Sequence, residues 1–428
     1  MVAKRKHGLS KKLRLAFLPL LANRSVNTES IRSVANSVGQ GVSSLSTSQI
    51  RLDLEKGEKI LFDDDVAREI NLPLQDGSHF TWPIASPQGL LRKYSAASPA
   101  LRRMLSKSPN TADRPWGLVH YHDEISPGDI LRPILSRQHT VFRFTFKEFG
   151  KTMLSNTRLW FTYAVLRTTV SKRVVGGLSR CFKELMRVFF KTHENFHEVG
   201  VAIDTDAGKT LFFAVNRNVV ADEKALKMTF SFKGASGSKP CGACANVFMK
   251  GFSKNKKTKK KILKAKGTRA IDITCFDRKG IVPNTNEAIW QYHDVLDTYK
   301  DKVSKAVFEK MEVALGTVYN PESVVADKDL RALFRPLDVL TFDWVHNYLC
   351  GIGPTELYCL LRRCKAVKVP YQELEQDTRT WTFPHRLDSR MPSPHQVFAG
   401  KRANRSENGK EKTWKLSASE FLSVLRTN

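Results

Sequence analysis

The chain has 428 residues, with 70 Lys and Arg against 42 Asp and Glu, and a formal net charge of +28. Hydrophobic residues make up 41% and aromatics 10%, which excludes a wholly disordered polypeptide and leaves room for two or three domains with real cores. So large a positive surplus repels itself unless something acidic binds it, and polyphosphate backbones are the commonest partner because each neutralised phosphate releases a counterion. A membrane surface fits less well, since no long apolar run and no dominant basic amphipathic anchor occurs. The seven cysteines are odd in number and lack the spacing of a small secreted scaffold, so they read as reduced thiols, some of them metal ligands.

Residues 1–57 read as a basic, loosely structured arm. Its first 24 residues hold Lys4, Arg5, Lys6, Lys11, Lys12 and Arg14 with no acid. Nuclear import or DNA contact, an organelle transit peptide and a solvated tail are the readings open to it. Residues 58–110 form a helical lead-in, with a helix over Gln88–Lys107. The texture changes at Trp116. Trp116–His122 reads as a strand ending at Asp123-Glu124, followed by the turn Ser126-Pro127-Gly128. Thr140–Phe149 and Leu159–Val170 read as two more strands, and Leu178–Lys191 as a helix. Val199–Ile203 and Leu211–Val215 make a hairpin, and Ala225–Phe232 an apolar strand. Three strands, a helix and further strands, the first strand ending in an acid, is the opening order of an RNase H-like α/β mixed-sheet core. Its first part would span 111–245.

Residues 246–285 form a basic insertion, and 286–370 a helical part with a helix over Glu287–Leu315, a polar connector over Pro321–Pro336 and a buried helix over Phe342–Arg363. Residues 371–428 are polar and basic and end in a short amphipathic helix, Ser417–Leu425.

Four groups could carry chemistry. Acids at the end of a buried strand, here Asp123 and Glu124, can hold Mg²⁺; the plain alternative is a turn cap. Cys241-x-x-Cys244 in a glycine-rich turn is half of a structural Zn²⁺ site, with Cys275 the best third ligand and His293 or Cys350 the fourth; the plain alternative is two small buried residues. Asp343 and His346 share one face of a helix and can pair with each other or approach one metal. Lys256, Lys257, Lys259, Lys260 and Lys261 lie in an acid-free run beside the cysteine turn, where phosphate contact without base specificity is expected. Ala207-Gly208-Lys209-Thr210 lacks the first glycine of a phosphate loop and reads as a strand-to-strand turn.

In order, Trp116 with Asp123-Glu-Ile-Ser-Pro-Gly128, Phe232-Lys-Gly-Ala-Ser-Gly237 with Cys241-x-x-Cys244, Tyr319-Asn-Pro321 with Leu330-Arg331 and Pro336, and Phe342-Asp-Trp-Val-His346 resemble transposon-derived proteins of algal protists. These in turn resemble the CACTA (En/Spm-like) and Plavaka-type cut-and-paste transposases. The resemblance covers roughly residues 110–428. It implies an RNase H-like core with a carboxylate triad, Mg²⁺ dependence, DNA strand cleavage and transfer, and a nuclear location. Asp123 takes the place of the first acid. The second is expected just ahead of the cysteine turn, where Phe232–Gly237 has none. Asp343 and His346 match a separate Asp-x-x-His element. The third acid is expected on a helix beyond it, where Glu420 is the late candidate and the family pattern would continue past the last residue.

The expectation is therefore a DNA-binding, transposase-derived protein, α/β with a cysteine-based zinc turn and a helical C-terminal part. Activity is impaired by the missing acid and a truncated end. The alternatives are a catalytically silent nucleic-acid-binding protein and an RNA-binding protein, with a homo-oligomer left open and no membrane partner.

Overall fold

A computed structural model describes residues 65–126, 138–155, 159–247, 252–254, 261–263, 281–343, 348–349, 352–366 and 371–379. The chain divides into two compact units, Met1–Thr341 and Phe342–Asn428. The protein is mixed α/β. Among the described residues, no helix is long and apolar enough to cross a membrane.

The first unit opens with a hairpin, β1 (Ala67–Pro73) and β2 (His79–Ala85), in register from Ala67↔Ala85 to Pro73↔His79. Alternation sends Ile70, Leu72, Trp82 and Ile84 into the core. Pro83 is tolerated because the sheet has only two strands, so β2 has an open edge. Two helices follow, α1 (Pro87–Ala97) and α2 (Pro99–Leu105), capped by Ser86 and Ser98 with a proline opening each. The sequence expectation was one helix over Gln88–Lys107. Pro99 divides it, because the residue before a proline is driven out of the helical region, and Ser98 sits at φ −123°, ψ 102°.

The main sheet has five described strands in the order β11-β8-β3-β4-β5. β3 (Trp116–Ile125) pairs antiparallel with β4 (His139–Phe146), and β4 with β5 (Phe161–Arg167). The chain then crosses by way of α3 (Gly177–Phe190), whose Leu178, Cys181, Phe182, Leu185, Met186, Phe189 and Phe190 form a buried face at helical spacing. A second hairpin, β6 (Val201–Thr205) with β7 (Gly208–Phe212), turns at Asp206-Ala207, so of the expected turn Ala207–Thr210 only Ala207 lies in it and Gly208–Thr210 belong to the strand. β8 (Ala214–Ala221) then returns parallel to β3 on the side away from β4.

The next segment differs from the expected strand over Ala225–Phe232. It is a helix, α4 (Glu223–Phe230), with Leu226, Thr229 and Phe230 buried at i, i+3 and i+4. Asp222 caps it and Glu223 occupies the first turn, where the helix dipole favours an acid. Two short strands, β9 (Phe252–Lys254) and β10 (Lys261–Leu263), pair antiparallel. The single helix expected over Glu287–Leu315 is two, α5 (Asn286–Tyr299) and α6 (Lys305–Leu315). The polar connector after them also contributes core. Val324, Val325, Leu330 and Phe334 are buried, and Glu322 and Asp327 form ion pairs with Lys183 and Arg187 of α3. β11 (Leu340–Phe342) lies beside β8. Within the expected helix over Phe342–Arg363, Phe342 instead ends β11 and α7 spans Gly353–Ala366; α8 (Tyr371–Arg379) follows, and both helices belong to the second unit. The N-terminal arm and the expected helix Ser417–Leu425 lie outside the described residues.

The core is aromatic. Phe189 packs against Phe144, Tyr163, Phe190, Phe196 and the ring of His120, at centroid distances of 4.9 to 6.0 Å. Phe189→Ala should lower unfolding free energy by about 3–5 kcal/mol, read as a lower urea midpoint. An unchanged midpoint would remove this ring from the centre of the core.

Candidate functional site

Strand alternation in β3 sorts His-Tyr-His-Asp into two faces. His120 and His122 point into the core against α3 and α4, and Tyr121 and Asp123 point to the other face. The parallel register of β3 and β8 runs to Tyr121↔Val220. Two residues further along each strand stand Asp123 and Asp222. Asp222 is still extended, at φ −64° and ψ 162°. Both residues therefore stand at the C-terminal ends of neighbouring parallel strands, where open α/β sheets place their ligand crevices. The sequence reading had missed Asp222. The available signal was its capping position, Asp222-Glu223 followed by Ala225, Leu226 and Thr229 at helical spacing.

Each carboxylate is oriented. The Tyr121 hydroxyl donates to Asp123 Oδ2 at 2.9 Å, and the Glu124 amide donates to Oδ1 at 2.7 Å. Asp222 Oδ1 accepts from the Ala225 amide at 2.6 Å. Glu124 alternates to the opposite face from Asp123, is exposed, and lies 4.0 Å from Lys224 Nζ.

The two histidines occupy the core face of the sheet. His122 stacks on Phe142, leans on Phe182 and meets Thr229 Oγ1 of α4 at 3.0 Å, which ties the helix to the strand just below Asp222. His120 Nε2 meets Asn216 Oδ1 of β8 at 2.8 Å. Burial pulls both rings below the ordinary histidine value, His122 to about 4 and His120 to about 3. Among the described residues, no group of three or more His, Cys, Asp and Glu gathers as metal ligands would.

The cysteine turn is built as a closed loop. The Cys244 amide donates to Cys241 O, Ala245 and Asn284 exchange backbone bonds with Val282 and Ala243, and the Asn284 side chain donates to Gly242 O. A side chain at Gly242 would meet the Phe232 ring at 2.6 Å, so only glycine fits. Burial and the neighbouring Cys241 sulfur push the Cys244 thiol up to about 11. His293, the alternative fourth ligand, is buried in α5 and does not join the two cysteines in a three-ligand group. Cys275 and Cys350 lie outside the described residues, as do Lys256, Lys257, Lys259, Lys260 and Glu420. Lys261 opens β10 opposite Lys254. Asp343 follows β11 and belongs to the second unit; His346 lies outside the described residues.

No family model matches the chain, and no curated protein matches its sequence.

A buried neutral histidine costs stability once its unfolded counterpart is protonated. His120 has a depressed folded value, so its share of stability is complete above pH 6.5 and is lost as pH falls through 6.5 toward about 3. At pH 5 that loss amounts to roughly 2 kcal/mol. Urea midpoints should therefore fall between pH 7 and pH 5, and His120→Gln should flatten the slope. An identical slope in the variant would show that His120 is protonated in the folded protein.

Proposed function

We propose that the chain is a DNA-binding protein of RNase H-like architecture and transposase descent, in which Asp123 and Asp222 hold Mg²⁺ for cleavage or transfer of DNA strands. The observation that carries this reading is the placement of the two carboxylates at the ends of the adjacent parallel strands β3 and β8. Three antiparallel strands, a crossover helix and a fourth strand returning parallel beside the first is the arrangement of an RNase H-like core, and the order β11-β8-β3-β4-β5 agrees with it. The motif resemblance supplies the transposase descent, and with it the nucleus as the place of action. It expected the second acid within Phe232–Gly237. Asp222 fills that role better, because it comes before the cysteine turn and directly follows β8, the strand that pairs with β3.

The residues fit the metal. Two carboxylates at neighbouring strand ends offer hard oxygen donors, as Mg²⁺ requires. Bound there, the ion would activate water and stabilise the leaving oxygen of a phosphodiester. The chain's own part is positioning. Tyr121 and the Glu124 amide fix Asp123, the Ala225 amide fixes Asp222, and His122 with Thr229 holds the α4 end of the site against the sheet. The net charge of +28 supplies the attraction for the DNA backbone.

A second reading, a catalytically silent nucleic-acid-binding protein, is favoured by the absence of a third acid beside this pair among the described residues. Nicking of supercoiled plasmid in Mg²⁺ or Mn²⁺ separates the two. The enzyme reading expects nicking that falls roughly 10²-fold or more in both Asp123→Asn and Asp222→Asn. Salt-sensitive DNA binding with nicking absent, or equal in all three proteins, assigns the chain to the silent class.

The cysteine turn is proposed as a structural Zn²⁺ site. Cys241 and Cys244 supply two sulfurs on a closed loop, and Cys275 is the proposed third ligand. Purified protein should retain close to one zinc per chain by elemental analysis, and Cys241→Ser should lose it with a lowered Tm. A stable, zinc-free wild-type protein would remove this site.

A further inference from the structure

A cleft of about 410 Å³ opens where the start of α3 meets the end of α4, and Gly177, Lys224, Lys227, Ser231, Lys233 and Asn320 line it. From this geometry we propose that the cleft is a binding site for a phosphate group. It is a second site beside the carboxylate pair, and it stands whether or not that pair is catalytic.

Three features converge on an anion. The first is the N-terminus of the 14-residue helix α3. Its cap position is Gly176, at φ 84°, and no side chain caps the helix. The first intrahelical bond joins Arg180 N to Gly176 O, and Gly177 N is taken by Val174 O. The amides of Leu178 and Ser179 precede that bond, so they depend on acceptors outside the helix, and the dipole adds positive potential at the same point. The space in front of Gly177 is open: a Cβ placed there would meet nothing within 4 Å.

The second feature is Ser231. It ends α4 in the left-handed region, at φ 56°, the one described residue other than glycine with positive φ. Glycine would hold this backbone without strain. What serine adds is a hydroxyl, and that Oγ is buried without a hydrogen-bond partner, in a residue only 5% exposed that forms part of the cleft wall. Buried hydroxyls nearly always have a partner. A phosphate oxygen in the cleft would accept this one.

The third is the lysine trio. Lys227 pairs with Glu223, Lys233 pairs with Glu312 at 2.7 Å, and Lys224 lies 4.0 Å from Glu124. An ammonium has three donors, so one carboxylate partner leaves each lysine able to reach a phosphate oxygen as well. Segment 231–233 is held firmly for this. Val318 N bonds Ser231 O, Lys233 N bonds Gly316 O, and Phe232 bridges Thr317.

The phosphate can belong to a nucleic-acid backbone or to a free phosphorylated compound, and one experiment decides both points. Inorganic phosphate is titrated into the full chain by calorimetry, for wild type, Ser231→Gly and the double variant Lys227→Gln, Lys233→Gln. A fluorescent oligonucleotide is then titrated with and without phosphate. Wild type should bind phosphate saturably, and each variant roughly tenfold or more weakly, as expected for losing hydrogen bonds to a charged group. Phosphate that competes with the oligonucleotide in wild type, but not in the variants, assigns the site to backbone phosphate. Phosphate binding that leaves the oligonucleotide undisturbed assigns it to a free phosphorylated compound. No saturable phosphate binding by wild type, or equal binding by wild type and a folded Ser231→Gly, overturns the proposal. Ser231→Gly relieves backbone strain, so it should fold even where the lysine variant does not. Strand cleavage is not measured, so failure of the carboxylate site leaves this result intact.

Discussion

The structure depends on one non-local pairing, the parallel contact between β3 and β8. Parallel strands cannot be joined by a tight turn, so the chain must travel through β4, β5, α3 and a hairpin before β8 returns to β3. A buried polar contact fixes the register of that return. His120 meets Asn216 across the strands at 2.8 Å, and the Asn216 side chain donates in turn to Leu333 O at 3.1 Å. An apolar residue at either place would fill the volume, but nothing would then select this register over its neighbours. In a low-dielectric core an unmade polar contact is costly, and that cost gives the pair its specificity.

The aromatic residues do the complementary work. Trp116 opens β3 and packs edge-on against Phe146, Phe149 and Phe212, which brings the start of β3, the end of β4 and the second hairpin into one cluster. Phe182 and Phe189 of α3 then cover the two histidines. Strand alternation makes the core and the candidate site interdependent. Every residue that faces α3 from β3 fixes the direction of its neighbour, and Asp123 faces away from α3 because His122 faces toward it.

Much of this was legible in the sequence because it is local. The apolar run of β3, the alternation of β4 and the amphipathic period of α3 need no long-range information. The failures have physical causes. The resemblance places the second acid within Phe232–Gly237, and the expected strand over Ala225–Phe232 rests on Met228-Thr-Phe-Ser-Phe232, which is rich in strand formers. The capping signal at Asp222 outweighs that preference once Leu226, Thr229 and Phe230 have a sheet to pack against. Pairing of Asp222 with Asp123 follows only from the β3–β8 register, which propensity does not encode. The connector after Pro321 was read as polar for a similar reason. Its ion pairs to α3 are spread among its charged residues, while its buried Val324, Val325, Leu330 and Phe334 are too scattered to show a period.

Asp222 also explains why fold and chemistry can part company in such a protein. A carboxylate at a strand-to-helix junction stabilises the helix it caps by about 1 kcal/mol, whether or not a metal is bound. Asp123, by contrast, has the Tyr121 hydroxyl and the Glu124 amide as its hydrogen-bond partners among the described residues. Loss of Asp222 would therefore remove the cap of α4, while loss of Asp123 would remove its hydrogen bonds with Tyr121 and the Glu124 amide.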